Sequence, residues 1–258
     1  MSTSAATILA HLKTVEDERA RRAGVAGLAV KVVALKAYQQ RRFSHTYADL
    51  LCSKRYGAAS HFFLDELYGP TDFSQRDVQF ARVVPALVRL FPSAIVETVG
   101  SLAALHALSE SLDSAMATNL SAQSLELVSG IDYIRAWQET ARAADRARQV
   151  ALTLVVAGRL DQFTRGLLVR NSLRLMRGPA HAAGLSDLQQ FLEAGFETFR
   201  EMKGADDFMA IVNERERTLA SSLFTAVAEN VDDLATINAL ANLPHGETNA
   251  VIHPNTTN

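Results

Sequence analysis

The sequence predicts an all-α chain, a single bundle of roughly eight to ten helices with no sheet. Three observations carry this. Apolar residues recur at helical spacing wherever a period can be read. No segment sustains the apolar–polar alternation of a half-buried strand. Only six prolines interrupt 258 residues rich in Ala, Leu and Arg. The composition, 48% hydrophobic and 21% charged, is that of an ordinary globular protein able to bury a sizeable core.

The elements follow in order. A first helical region covers residues 7–42, with a break at Gly24 and Gly27; Val25, Leu28, Val32 and Leu35 form one apolar seam. The next helix runs over 47–68, weakest at Gly57. Gly69–Pro70 stops it, because glycine adopts the left-handed cap and proline cannot continue the ladder. Ser74, with Asp77 three residues on, reads as a capped helix start. Phe80, Val83, Val84, Leu87 and Phe91 give that helix its apolar face, with Pro85 as a kink. Pro92–Ser93 opens a helix to residue 116, and a polar break follows at 118–121. Helices continue over 131–177, with a turn at Gly158. Gly178–Pro179 and Gly184 mark the clearest loop, and Ser186 with Gln189 predicts a capping box. Leu188, Phe191, Leu192, Gly195, Phe196, Phe199 and Met202 make the stripe of that helix, which Gly204 ends. Asp206 and Asp207 open a last long helix, where the helix dipole favours carboxylates. Residues 1–240 thus read as one helical domain. Residues 241–258, polar and without period, read as a disordered tail.

Charge is balanced overall, at −2, which gives no general attraction to nucleic acid or anionic membrane. It is not balanced locally. Residues 1–60 carry ten Lys or Arg against four Asp or Glu; residues 141–177 carry eight against two; residues 191–233 carry four against ten. Basic and acidic helices are therefore expected to lie side by side. The lone cysteine, Cys52, forms no intrachain disulfide. The N-terminus lacks the basic start and apolar run of a signal peptide, and no apolar run approaches the ~20 residues of a membrane span. A cytoplasmic protein without a membrane segment is expected.

Motifs with chemistry are scarce. His61 and Asp65, four apart on a helix, share a face, as do His45 and Asp49. Two ligands do not make a metal site, no spaced Cys/His cluster supplies a third, and no metal is expected. Glycine-rich phosphate loops and the Gly-x-Ser-x-Gly nucleophile elbow are missing, so no cofactor is expected. Arg159, Arg170, Arg174 and Arg177 fall on one side of a single expected helix. Without a recognition motif, a solvated face or pairing with the acidic helices is the plainer reading than nucleic acid. Arg76 and Asp77 abut an aromatic turn, where Asp77 would cap a helix and Arg76 would clamp a loop carbonyl or a carboxylate. The candidate ligand or partner site is His61, Asp65, Tyr68, Phe73, Arg76 and Asp77.

The run Phe62-Phe63-Leu64-x-x-Leu67-Tyr68-Gly69-x-x-Asp72-Phe73-x-x-Arg76-Asp77 resembles a bacterial family known as a domain of unknown function. The run Phe191-Leu192-Glu193-x-Gly195-Phe196-x-x-Phe199-x-x-Met202-x-Gly204-Ala205-x-x-Phe208 looks like that family's second block. The resemblance implies an all-helical fold and a bacterial source, and no activity. From the residues alone, the first reading is a non-catalytic intracellular interaction or regulatory protein with a protein partner. The alternative is a helical enzyme or small-ligand-binding protein with its pocket near residues 61–77.

Overall fold

Ser4 lies in extended backbone and its hydroxyl accepts the Thr7 N–H at 3.2 Å, so α1 (Ala5–Gly24) begins capped. Gly27, at φ +75°, closes the turn into α2 (Leu28–Thr46), where the break was expected. In this computed structural model, which describes residues 3–66, 70–121 and 128–244, there are twelve helices and no strand among the described residues. The fold is all-α, with a helix count slightly above the expected range.

The additional helices are short pieces. α3 (Ala48–Leu51) and α4 (Gly57–Glu66) divide the helix expected over 47–68; in the turn between them the Ser53 hydroxyl accepts the Arg55 and Tyr56 amides. α12 (Leu234–Ala241) starts at Asp233, whose carboxylate accepts the Ala235 and Thr236 amides. Leu243, beyond α12, is still buried in the core. Residues 245–258, most of the segment read as a tail, lie outside the described residues, as does the expected cap at Gly69.

Several punctuation readings are corrected. Ser74 does not cap α5 (Ser74–Leu90): its amide and hydroxyl both donate to Asp72, at 2.9 and 3.0 Å. Asp77 is thereby free for another role. Gly158 makes no turn. α8 (Ala143–Thr164) runs through it, and its Cα side lies in ordinary contact range of Met209 on α11 (Asp206–Thr225). The breaks fall instead at 141–142 and 165–166, separating α7 (Gly130–Thr140), α8 and α9 (Leu167–Ala182). α9 in turn runs through Gly178 and Pro179, so the loop shrinks to the residues around Gly184. Ser186 and Gln189 form no capping box on α10 (Ser186–Met202); the Gln189 amide donates to the Leu173 carbonyl and to Glu193. A capping box forms instead between Ser129 and Asp132, at the start of α7.

α6 (Ser93–Thr118) is the central helix, packed against α1, α2, α5, α7 and α8. The apolar side chains gather in three cores. The first gathers α2, the end of α6, α7, the end of α11 and α12 around Leu35, Tyr38, Met116, Ile134 and Leu223. The second joins α4, α10 and the start of α11 around Phe199, Met202 and Phe208. The third joins α1, α5 and the start of α6 around Ile8, Val84 and Val96. Basic and acidic segments do lie side by side. Arg42 pairs with Glu216 at 2.5 Å and Arg55 with Asp207 at 3.1 Å. Arg177 and Arg170 on α9 meet Glu193 and Glu197 on α10 at 2.7 and 3.9 Å. Arg159 sits on α8, so the expected four-arginine stripe is not on one helix. Among the described residues no helix is long and apolar enough to cross a membrane.

Candidate functional site

The three cores do not close on one another. Where they meet, they leave a cavity of about 240 Å³. The third core contributes Leu12, Phe80, Leu87, Val99 and Ala103, the second Phe63, and the first Tyr133 and Trp137. A smaller void of about 50 Å³ shares Phe63, Gln149, Thr153 and Glu216 with it.

α6 lines the cavity along much of its length, and its lining changes character on the way. Val99, Leu102 and Ala103 come first, then His106, then Ser109, Glu110 and Asp113. At 1.5 Å per residue the span from Val99 to Asp113 is about 21 Å. Along α6 the lining therefore runs from apolar side chains to strongly polar ones.

The polar end is built by α2, α6, α8 and α11. Glu110 receives Arg22 Nη1 and Lys36 Nζ, each at 2.5 Å, while Arg22 also donates to the Glu110 carbonyl and the Ser114 hydroxyl. Gln39 donates to Asp113 at 3.0 Å. Glu216 accepts from Arg42 at 2.5 Å and from the Tyr47 hydroxyl at 2.7 Å. The Arg146 guanidinium lies 4.1 Å from the Trp137 ring centroid and donates to Gln149, which donates to Ser109. Gln39, Arg42, Glu110, Asp113 and Arg146 are all more than nine-tenths buried. So is Trp137, 8% exposed, whose buried indole Nε1 has no hydrogen-bond partner among the described residues.

Burial and charge pull these groups in different directions. Burial opposes ionisation of Glu110, but Lys36 and Arg22 outweigh it and hold the carboxyl down at about 2. Asp113 is more than nine-tenths buried, and burial pushes its carboxyl upward despite Lys36. Burial likewise raises the Tyr133 phenol.

The other end is aromatic, and the two motif blocks meet there. Phe62 stacks on Phe191 at 5.5 Å, and Phe63 contacts Phe199 and Phe208 at 6.0 and 5.9 Å. A Cβ on Gly195 would come within 3.0 Å of Phe62, so glycine is what permits this approach of α10 to α4. Arg76 is held between the Phe73 and Phe191 rings, at 4.0 and 4.1 Å, and donates to both the carboxylate and the carbonyl of Glu66 at 3.1 Å. It clamps a carbonyl and a carboxylate at once. Asp77, read as a helix cap, instead accepts from Arg19 at 2.5 Å and lies 3.0 Å from His106 Nε2. Burial opposes its ionisation, while His106 and Arg19 pull its pKa below the usual carboxylate range.

Of the six candidate residues, Phe73, Arg76 and Asp77 line the cavity. His61 and Asp65 do not: both lie on the exposed face of α4, since the helix turns its Phe62 side to the core. Tyr68 lies outside the described residues. In the parallel pair, Asp49 is bound by Arg215 at 2.6 and 2.8 Å, while His45 Nε2 lies 3.4 Å from the Ala241 carbonyl. No group of three or more His, Cys, Asp or Glu among the described residues is placed to hold a metal ion. The polar end was missed. Its signal was present: His106, Glu110 and Asp113 recur at spacings of four and three in an otherwise Ala- and Leu-rich helix, facing one side.

Fold and site together define an all-helical fold with a cavity of mixed character. The chain belongs to the family described as a domain of unknown function, DUF8198, which it matches over residues 18–230. Both motif blocks fall within that span, and the expected kinship is borne out. Neither a curated protein nor a solved structure matches the chain.

Proposed function

We propose that this protein binds a small molecule in the central cavity, the alternative reading of the sequence, without a catalytic step of its own. One observation carries it: charged and amide side chains more than nine-tenths buried line a void of about 240 Å³, next to an unpartnered indole N–H. A fold that needed only stability gains little from burying ions around empty space, because desolvation offsets their attraction. A ligand that completes the polar end and fills the apolar end gives both a use. A regulatory or interaction role, the first reading, is compatible with ligand binding and lies downstream of it. The bacterial source and cytoplasmic setting belong to the same proposal, supported by the family resemblance and the lone cysteine.

The test is thermal unfolding with a panel of small amphiphiles, comparing the native chain with Ala103→Leu. Ala103 is buried at the cavity wall, so leucine there occupies ligand space. A ligand-induced rise in melting temperature that is lost in Ala103→Leu is expected. Equal shifts in both chains would contradict a cavity site.

A further inference from the structure

The chemistry of the occupant can be read from the way the lining is polarised. We infer that the cavity takes a small monocarboxylic acid, its carboxylate among Lys36, Arg42 and Arg146 and its apolar body toward Phe80, Leu87 and Leu102. This rests on the ligand-binding reading above and narrows it to one class.

Charge sets the sign of the head group. Lys36, Arg42 and Arg146 line the polar end, with Arg22 behind them on Glu110, against Glu110 and Glu216 as carboxylates, and burial pushes the Asp113 carboxyl upward. Counted with Arg22, which stands behind the lining on Glu110, this cluster is cationic even when Asp113 is ionised. A monoanion relieves that surplus, and an amine would add to it. Donors set the geometry of the head. The Trp137 indole N–H lacks an acceptor among the described residues, and the lining offers arginine forks and glutamine amides, which suit a planar acceptor such as a carboxylate.

Size sets the body. A cavity of about 150 Å³ holds benzene, so one near 240 Å³ holds roughly ten non-hydrogen atoms. A small amphiphile therefore fits the volume within the walls. Direction follows from α6: the polar side chains Glu110 and Asp113 lie at one end of its lining and Val99 and Leu102 at the other. An amphiphile with one charged end matches this gradient in a single orientation.

The experiment titrates octanoate, hydrocinnamate, octanol and octylamine into the native chain at about pH 7, by calorimetry and by emission of Trp137, the sole tryptophan. Octanoate or hydrocinnamate should saturate one site about tenfold to a hundredfold more tightly than octanol, the effect of one or two charge-assisted hydrogen bonds. Whichever acid binds more tightly identifies an aliphatic or an aromatic body. Arg146→Gln should bring the acid-to-alcohol ratio down to about one, and Arg146→Lys should restore part of it. If Arg146→Gln does not fold, the order of the probes on the native chain decides. Octanol binding as tightly as the acids, or octylamine binding best, would overturn the carboxylate assignment and leave a cavity ligand standing. Failure of all four probes to saturate a site would count against both readings.

Discussion

The two ends of the cavity are built on opposite principles. The aromatic end is local in sequence: Phe62, Phe63, Phe73 and Arg76 come from one block, and Phe191, Gly195, Phe199 and Phe208 from another. The polar end is scattered, with Lys36 and Gln39 on α2, Glu110 and Asp113 on α6, Arg146 on α8 and Glu216 on α11. The first holds helices together by ring contacts that no titration disturbs. The second holds charges in place around a void, and depends on ionisation. A motif written in contiguous residues here marks the frame, while the chemistry lies in residues that look ordinary one at a time.

The contrast is open to direct attack. The largest effect should come from the aromatic end: Phe199→Ala, at a site 1% exposed, should cost about 3–5 kcal/mol in denaturant unfolding, with a loss that is the same at neutral and acidic pH. A pH-dependent loss would mean that the two ends are not separable.

At the polar end, Glu110→Gln should also be severe, about 3–5 kcal/mol, because Arg22 and Lys36 are left as buried cations without their carboxylate. Its pH signature differs. The folded carboxyl titrates at about 2 against an ordinary 4.5, so its contribution is complete above 4.5 and is lost as pH falls toward 2. That contribution is about 3 kcal/mol. The native chain should therefore lose this much more stability on acidification than Glu110→Gln does, and parallel acid-unfolding curves would contradict it.

Arg76→Ala should cost less, about 1.5–3 kcal/mol for its hydrogen bonds to Glu66. As a clamp on the turn, its removal should lower the melting temperature and leave ligand affinity intact in the folded fraction. Unchanged thermal unfolding with lost binding would move Arg76 from the frame into the site. The smallest effect separates two neighbours. Asp72→Ala should cost about 0.5–2 kcal/mol, as the loss of a helix cap does. Ser74→Ala should stay within about 0.5 kcal/mol, as at an ordinary surface position, since Asp72 carries the bond to the α5 start. A reversed order would restore Ser74 as the cap.

Helical periodicity made most of the fold legible, since amphipathic stripes such as Leu188–Met202 need only their own spacing to be read. Punctuation was less legible because tertiary partners override local signals. Gly158 reads as a breaker, yet it lies in the middle of α8 beside Met209. Gln189 stands at a capping-box position, yet its amide is spent on the Leu173 carbonyl and Glu193. The site divided in the same way. Phe73 and Arg76 were visible because a turn motif brings them together. His61 and Asp65 share a face, as their spacing requires, but nothing in the spacing says which face is buried. Lys36, Arg42, Arg146 and Glu216 meet only through the packing of three helices, and no local pattern announces that.

The claim at the centre is that a ligand enters the void where the three cores meet, and the Trp137 indole N–H tests it most directly. As the only tryptophan it gives one side-chain indole cross-peak in a ¹H–¹⁵N correlation spectrum, and its Nε1 is a buried donor without a partner among the described residues. On titration with octanoate that peak should shift saturably, together with the side-chain amides of Gln39 and Gln149 at the polar end. An indole peak that stays fixed while backbone peaks of the exposed apolar residues Leu175 and Met176 on α9 move would place binding on the surface and contradict the claim.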